Sequence, residues 1–189
     1  MNKDVSNAYT NEFSFCPNCG SPHIFYIDNR KWGCTDCGFK LYNNVAAAVG
    51  MLITDDQNNL LFEVRAKDPQ KGKLAIPGGF CDQNESAEQA AIRECREEIG
   101  VEPESLEYLC SFPNTYDYKN IRYKTCDLFF IAKITGTGPL IDRLHIQESE
   151  VTSLVMKHIT TEQDIRDLPL AFESTRKTLY LWLERNKKQ

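Results

Sequence analysis

Residues 79–101 constrain this chain more than any other stretch. Glu94, Glu97 and Glu98 stand at i, i+3 and i+4. On a helix turning 100° per residue, their three carboxylates share one face. Ile92, Cys95 and Ile99 share another, suited to packing on a sheet. Ser86 opens the helix as a cap, Gln89 three residues on closes a capping box, and Gly100 supplies a left-handed stop. Ala87, Ala90 and Ala91 fall on or near the acidic face, where small side chains are expected to leave a shallow trough. Arg93, one turn before Glu97, is placed to pair with it and hold its orientation.

Three carboxylates this close repel unless a cation neutralises them. Hard oxygen ligands select Mg²⁺ or Mn²⁺. Such ions bridge diphosphate oxygens and make bound water a better nucleophile. A glutamate-rich helix is also commonly a solvated surface, and the helix alone leaves both readings open.

The flanking residues decide between them. Gly79, Glu85, Arg93, Glu94, Cys95, Glu97, Glu98, Gly100 and Val101 fit G-x5-E-x7-R-E-U-x-E-E-x-G-U, where U is bulky and apolar. At average residue usage, the seven fixed positions match by chance in roughly one such chain per million. This region resembles the Nudix family, whose signature that pattern is. Arg65 to Phe80 (RAKDPQKGKLAIPGGF) is similar to family sequence as well. Cys95 is smaller than the usual residue. Asn84 stands where many members have glycine, and it tolerates left-handed backbone.

The resemblance implies a Nudix α/β/α sandwich with a mixed β-sheet, the box forming a loop–helix–loop. It implies hydrolysis of a nucleoside diphosphate linked to another group, by water attack on phosphorus. By that carry-over Glu94, Glu97 and Glu98 bind Mg²⁺ (or Mn²⁺), Arg93 orients, and Gly79, Glu85 and Gly100 support the loop. The general base is a box glutamate or an acid from a later loop, Glu148 or Glu150.

Two C-x-x-C pairs precede this region: Cys16 with Cys19, and Cys34 with Cys37, 14 residues lying between Cys19 and Cys34. That spacing supplies four thiolates for one tetrahedral Zn²⁺. The glycine after each second cysteine allows a turn in which backbone amides point at sulfur. With four cysteines filling the coordination sphere, the zinc is expected to be structural. Residues 14–42 hold too little apolar sequence for a core of their own, and their local charge of +1 is a weak footprint for nucleic acid. The module is therefore expected to stabilise structure or a homodimer. Cys81, Cys95, Cys110 and Cys126 read as core or incidental.

The expected organisation is a polar tail at 1–13, a zinc ribbon at 14–42 and a Nudix domain at 43–189. Within the last, strands are expected at Val45–Ile53, Leu60–Arg65, Leu106–Phe112, Ile121–Ile134 and Val151–His158, with a closing helix over Phe172–Arg185. The net charge of -5 argues against broad nucleic-acid or membrane-surface binding. No apolar run approaches a membrane span and the amino terminus lacks a secretory pattern, so the expected location is cytoplasmic.

A ribbon directly before such a domain resembles the NADH pyrophosphatase branch, which carries a Ser-Gln-Pro-Trp array after the box. Here Ser111-Phe112-Pro113-Asn114-Thr115 keeps Ser and Pro but not Gln and Trp. NADH or NAD, ADP-ribose, dinucleoside polyphosphates and nucleotide sugars all stay open, capped RNA included. Phe112, Tyr116, Tyr118 and Tyr123 offer stacking surfaces. Phe112, Tyr116 and Arg65 are the candidate substrate contacts. Asp127, inside an apolar strand, either is buried and paired or faces substrate. The competing reading is a nucleic-acid- or protein-binding regulator with a retired Nudix domain, whose mark would be a broken box; this box is intact.

Overall fold

The computed structural model describes residues 13–28, 30–118 and 121–187, and the side chains of Tyr118 and Ile121 lie outside that description. The tail at 1–12 and any stacking by Tyr118 therefore fall outside it too. The chain divides into two compact units, Met1–Val45 and Ala46–Gln189.

The first unit is a three-stranded antiparallel sheet: β1 (Ile24–Ile27), β2 (Lys31–Cys34) and β3 (Lys40–Tyr42), with β2 central. Its small core gathers Cys16, Ile24, Trp32 and Cys34, with Phe13, Tyr26, Phe39 and Leu41 packed around them. Trp32 is buried against Phe13 and Tyr26, each ring at 4.8 Å, so it packs the hairpin rather than offering a stacking face.

The second unit is built on two three-stranded sheets. In one, β4 (Ala46–Ile53) runs parallel to β8 (Ile121–Lys133), which pairs antiparallel with β7 (Ser105–Tyr118). In the other, β5 (Asn59–Arg65) lies between β6 (Leu74–Ala75) and β9 (Val151–His158), antiparallel to both. Successive strand residues point to opposite faces, and the cores divide accordingly. Val49, Met51, Ile53, Leu61 and Phe130 meet Ala90, Cys95 and Ile99 of α1 (Ala87–Ile99). Leu52, Leu60, Phe62 and Phe129 meet Leu179, Trp182 and Leu183 of α3 (Glu173–Asn186). Helices thus cover both faces, giving an α/β/α sandwich.

Ser86 caps α1 in a complete capping box with Gln89, and the helix ends at Gly100 with φ 74°. Asn84 adopts φ 66° in the loop before it. Three features depart from the expectations above. Ala90 and Ala91 are fully buried against the sheet, so they let α1 lie close to it and form no trough beside the acids. β7 runs through Pro113 to Tyr118, because it is an edge strand and its outer side needs no N–H donor there. A short α2 (Glu162–Asp167), capped by Thr161, precedes α3.

Candidate active site and cysteine centre

The free edge of β4 is where the site begins. Backbone bonds from Val49 N–H to the Gly79 carbonyl (2.8 Å), Met51 to Pro77 (2.9 Å) and Cys81 to Ala47 (3.0 Å) zip the Pro77–Cys81 loop along that edge. The loop is thereby carried past α1. Gly78 N–H donates to Glu98 Oε2 at 2.6 Å. A Cβ on Gly79 would overlap the Glu94 carboxylate, and one on Gly78 the Val49 carbonyl. Glycine at both positions is what lets strand, loop and acidic helix approach this closely.

Arg93 ties the box together. Its guanidinium donates to both Glu85 oxygens at 2.9 Å, to Glu94 Oε1 at 2.8 Å, to Glu97 Oε2 at 3.1 Å and to the Phe80 carbonyl at 2.9 Å. Glu85 also accepts from Asp82 N–H at 2.9 Å, and the Arg93 bonds hold its carboxyl below the usual range. Loop and helix are clamped through one cation.

These groups border a cavity of about 340 Å³. Among the described residues, Glu63, Asp82, Glu94, Glu98, Asp127 and Glu150 line it, against Arg65 and Arg93 as the only cations. Burial first, then neighbouring carboxylates, push Glu98 well up and Glu63 to about 8. Glu94 is raised by burial, with Arg93 opposing. An anionic substrate entering this field is repelled unless cations enter with it. The oxygen-only donor set fits a hard divalent ion. Glu97 is half-exposed, outside the cavity lining, and held by Arg93.

The opposite wall is aromatic. Tyr116 stacks on Phe172 with centroids 5.8 Å apart, Phe80 meets Tyr116 edge-on at 5.3 Å, and the Arg65 guanidinium lies 5.2 Å over the Phe172 ring. Arg65 and Tyr116 line the cavity; Phe112 instead packs on the α3-side core. Glu150 lines the cavity and pairs with Lys67 at 3.1 Å, whereas Glu148 is exposed and does not line it. Asp127 is both paired and at the cavity, accepting from Thr125 at 2.6 Å and Ser174 at 2.7 Å. Glu63 and Phe172 were not anticipated. Glu63 interrupts the apolar run of β5, the same signal that singled out Asp127. Phe172 bears in the sequence only the mark of a helix start.

In the first unit, the four cysteine sulfurs lie within 4.8 Å of one another, with Cys16–Cys37 at 3.8 Å and Cys19–Cys34 at 3.7 Å. Zn–S bonds of about 2.3 Å in a tetrahedron require sulfurs about 3.8 Å apart. Gly20 and Gly38 adopt φ 72° and 73°, and the amides after them, of Ser21 and Phe39, bond the Cys19 and Cys37 sulfurs. The Phe39 amide and the Asn18 side chain hold the Cys37 thiol down at about 6. Cys19 is pushed up to about 12: the Ser21 amide works against this, and the neighbouring thiols and burial outweigh it. Deprotonated together, four sulfurs this close would repel unless a cation lay among them.

Similar proteins place the chain. Over 99 residues it is 35% identical to the NAD-capped RNA hydrolase NudC of Pseudomonas aeruginosa, a match covering 51% of this chain but only 34% of that relative. The chain thus spans about a third of the length of this curated relative. The fold is similar to a Nudix hydrolase from Nitrosomonas europaea, with TM-score 0.59, 22% identity and 93% of each chain covered. It is also similar to the NUDIX domain of Shewanella oneidensis NrtR in complex with ADP ribose, with TM-score 0.57, 22% identity, and 78% of this chain and 91% of that one covered. The NUDIX domain model matches residues 45–183, which take in the clamp of Arg93, the glycine loop and both cores. With that match and an intact box, the chain belongs to the Nudix family.

Proposed function

We propose that the chain is a divalent-metal-dependent hydrolase of the diphosphate linkage in a nucleoside diphosphate bonded to another group. One observation carries this reading: the acidic cavity of α1 faces an aromatic wall across a space sized for a nucleotide. Glu94, Glu97 and Glu98 would hold Mg²⁺ or Mn²⁺. A bound ion of that kind neutralises diphosphate oxygens and lowers the pKa of water. Arg93 fixes the carboxylates at an orientation set by Glu85. The Gly78 amide fixes Glu98. Glu150, at the cavity mouth and tethered by Lys67, is the better placed of the two loop candidates for general base. Tyr116, Phe172 and Arg65 offer a base or ribose a flat face and a cation. The similarity to the Pseudomonas NAD-capped RNA hydrolase favours NAD-capped RNA within this class.

A panel with Mg²⁺ and with Mn²⁺ tests the reading: NADH, NAD⁺, NAD-capped RNA, ADP-ribose, diadenosine polyphosphates, nucleotide sugars and triphosphates, with products identified. Release of a nucleoside monophosphate is expected, lost in Glu97→Gln and Glu98→Gln with folding intact. Undiminished turnover in both variants would remove the metal assignment.

The cysteine cluster is inferred to hold one structural Zn²⁺, supported by its sulfur spacing. Well under one zinc per purified chain would overturn that inference.

A further inference from the structure

Among the described residues, Glu63 Oε1 is the only buried carboxylate oxygen without a hydrogen-bond partner. Glu63 is 4% exposed and sits on β5, the central strand of its sheet, opposite Ala75 on β6 and Leu154 on β9. Its backbone is therefore fixed on both sides. Leu61, two residues earlier on the same face, is fully buried in the core beneath α1. The pattern of the strand calls for an apolar side chain at position 63, and packing would be served by one. A carboxyl group there instead meets Glu98, with which it shares a side-chain hydrogen bond, and Glu94, which repels it; a charge on Glu63 in turn repels one on Glu98. Ionising both of these buried carboxyl groups costs several kcal/mol unless a cation compensates. Arg65 attracts Glu63, but its Nε is bonded to the Pro69 carbonyl and its guanidinium plane to Phe172.

Resting on the hydrolase reading above, we propose that Glu63 is a further metal ligand, joining Glu98 of the box in holding a divalent cation. The acidic site is then not confined to one helix face. It draws one ligand from the sheet, so the helix carboxylates and β5 are bridged through the ion. Glu63→Gln keeps size and polarity and removes the charge.

The test is a Mn²⁺ titration read by electron paramagnetic resonance of the free ion, with wild type, Glu63→Gln and Glu97→Gln compared. Thiolates select softer ions than Mn²⁺, so the cysteine cluster does not enter the count. Glu63→Gln is expected to lose one ion per chain or to bind at least about tenfold more weakly, while its metal-free melting temperature stays level or rises. A Glu63→Gln isotherm that superposes on wild type overturns the proposal. Anomalous diffraction from Mn²⁺-soaked wild-type crystals reads the same point without a variant. An ion within coordination distance of Glu63 supports the proposal, and one held by α1 alone overturns it. Mn²⁺ bound through Glu63 in a chain that hydrolyses nothing on the panel would count against the hydrolase reading and not against this one.

Discussion

Arg93 grips Glu85 with one edge of its guanidinium, Nε to Oε1 and Nη2 to Oε2, both at 2.9 Å. The seven residues between them carry the chain from the loop into α1, so this pair sets the angle at which the acidic helix leaves the glycine turn. The remaining donor of the fork, Nη1, reaches Glu94 and Glu97. A lysine has the charge but not the fork. Arg93→Lys is expected to fold, to lower kcat by roughly 10–100-fold and to raise the Mg²⁺ concentration for half-activation. Wild-type kcat with an unshifted Mg²⁺ requirement would show that charge alone suffices and that the clamp is not needed.

Phe112 and Tyr116 stand on one strand and are expected to part company on mutation. Tyr116 lines the cavity beside Phe172, whereas Phe112 packs on the core with α3. Base stacking contributes about 1–3 kcal/mol, so Tyr116→Ala should raise KM by roughly 5–150-fold with little change in stability. Phe112→Ala should instead lower the melting temperature and leave KM close to wild type. Steady-state kinetics with thermal melts of both variants check this, and an unchanged KM in Tyr116→Ala would take that ring out of recognition.

How much of this was legible beforehand follows from which interactions are local. Ser86, Gln89 and Gly100 fixed the ends of α1 to the residue because caps are made within one turn. The four cysteines declared their cluster by spacing, since each C-x-x-C is one knuckle. Asn84 declared its left-handed backbone by type. What stayed hidden depends on contacts across the fold. Ala90 and Ala91 carry no mark in the sequence that separates a trough from a close approach to the sheet. Phe112 and Tyr116 share a parity on β7, so alternation alone assigns both to one face. Only the length of that strand separates them, with Phe112 against the core and Tyr116 beyond it at the cavity. Glu63 was visible as a charge in an apolar run, but its meaning required Glu98 opposite.

The cysteine cluster makes a prediction independent of catalysis. Cys16 and Cys34 are buried beside Trp32 in a core of few side chains. A core this small cannot hold its fold by burial alone, so on the zinc reading the bound ion would supply folding free energy. Cys16→Ser is expected to reduce zinc to well below one per chain and to red-shift Trp32 fluorescence. The helix signal of the second unit, which has two cores of its own, should persist. Retained zinc and an unshifted Trp32 spectrum would mean that the sulfurs converge without needing the metal.

The buried acids give the protein a pH dependence whose direction depends on metal. Folded Glu63 keeps its proton up to about pH 8, while an unfolded glutamate releases it near the ordinary value of 4.5. Between those values the folded state binds more protons than the unfolded one, so stability falls as pH rises. The slope is at most about 1.4 kcal/mol per pH unit for each proton involved. Glu98 is shifted the same way by the same burial and adds to it. With a saturating divalent ion the balance changes, because the cation competes with those protons and binds more tightly as they leave. Without metal, the melting temperature should therefore decline from about pH 5 to pH 8. With Mg²⁺ the decline should flatten or reverse, and the stabilisation by Mg²⁺ should grow with pH. Glu63→Gln should flatten the metal-free decline, since one of the upward-shifted carboxyl groups is gone. A Mg²⁺ stabilisation that is constant from pH 5 to pH 8 would show that these carboxylates are not the ones the ion meets.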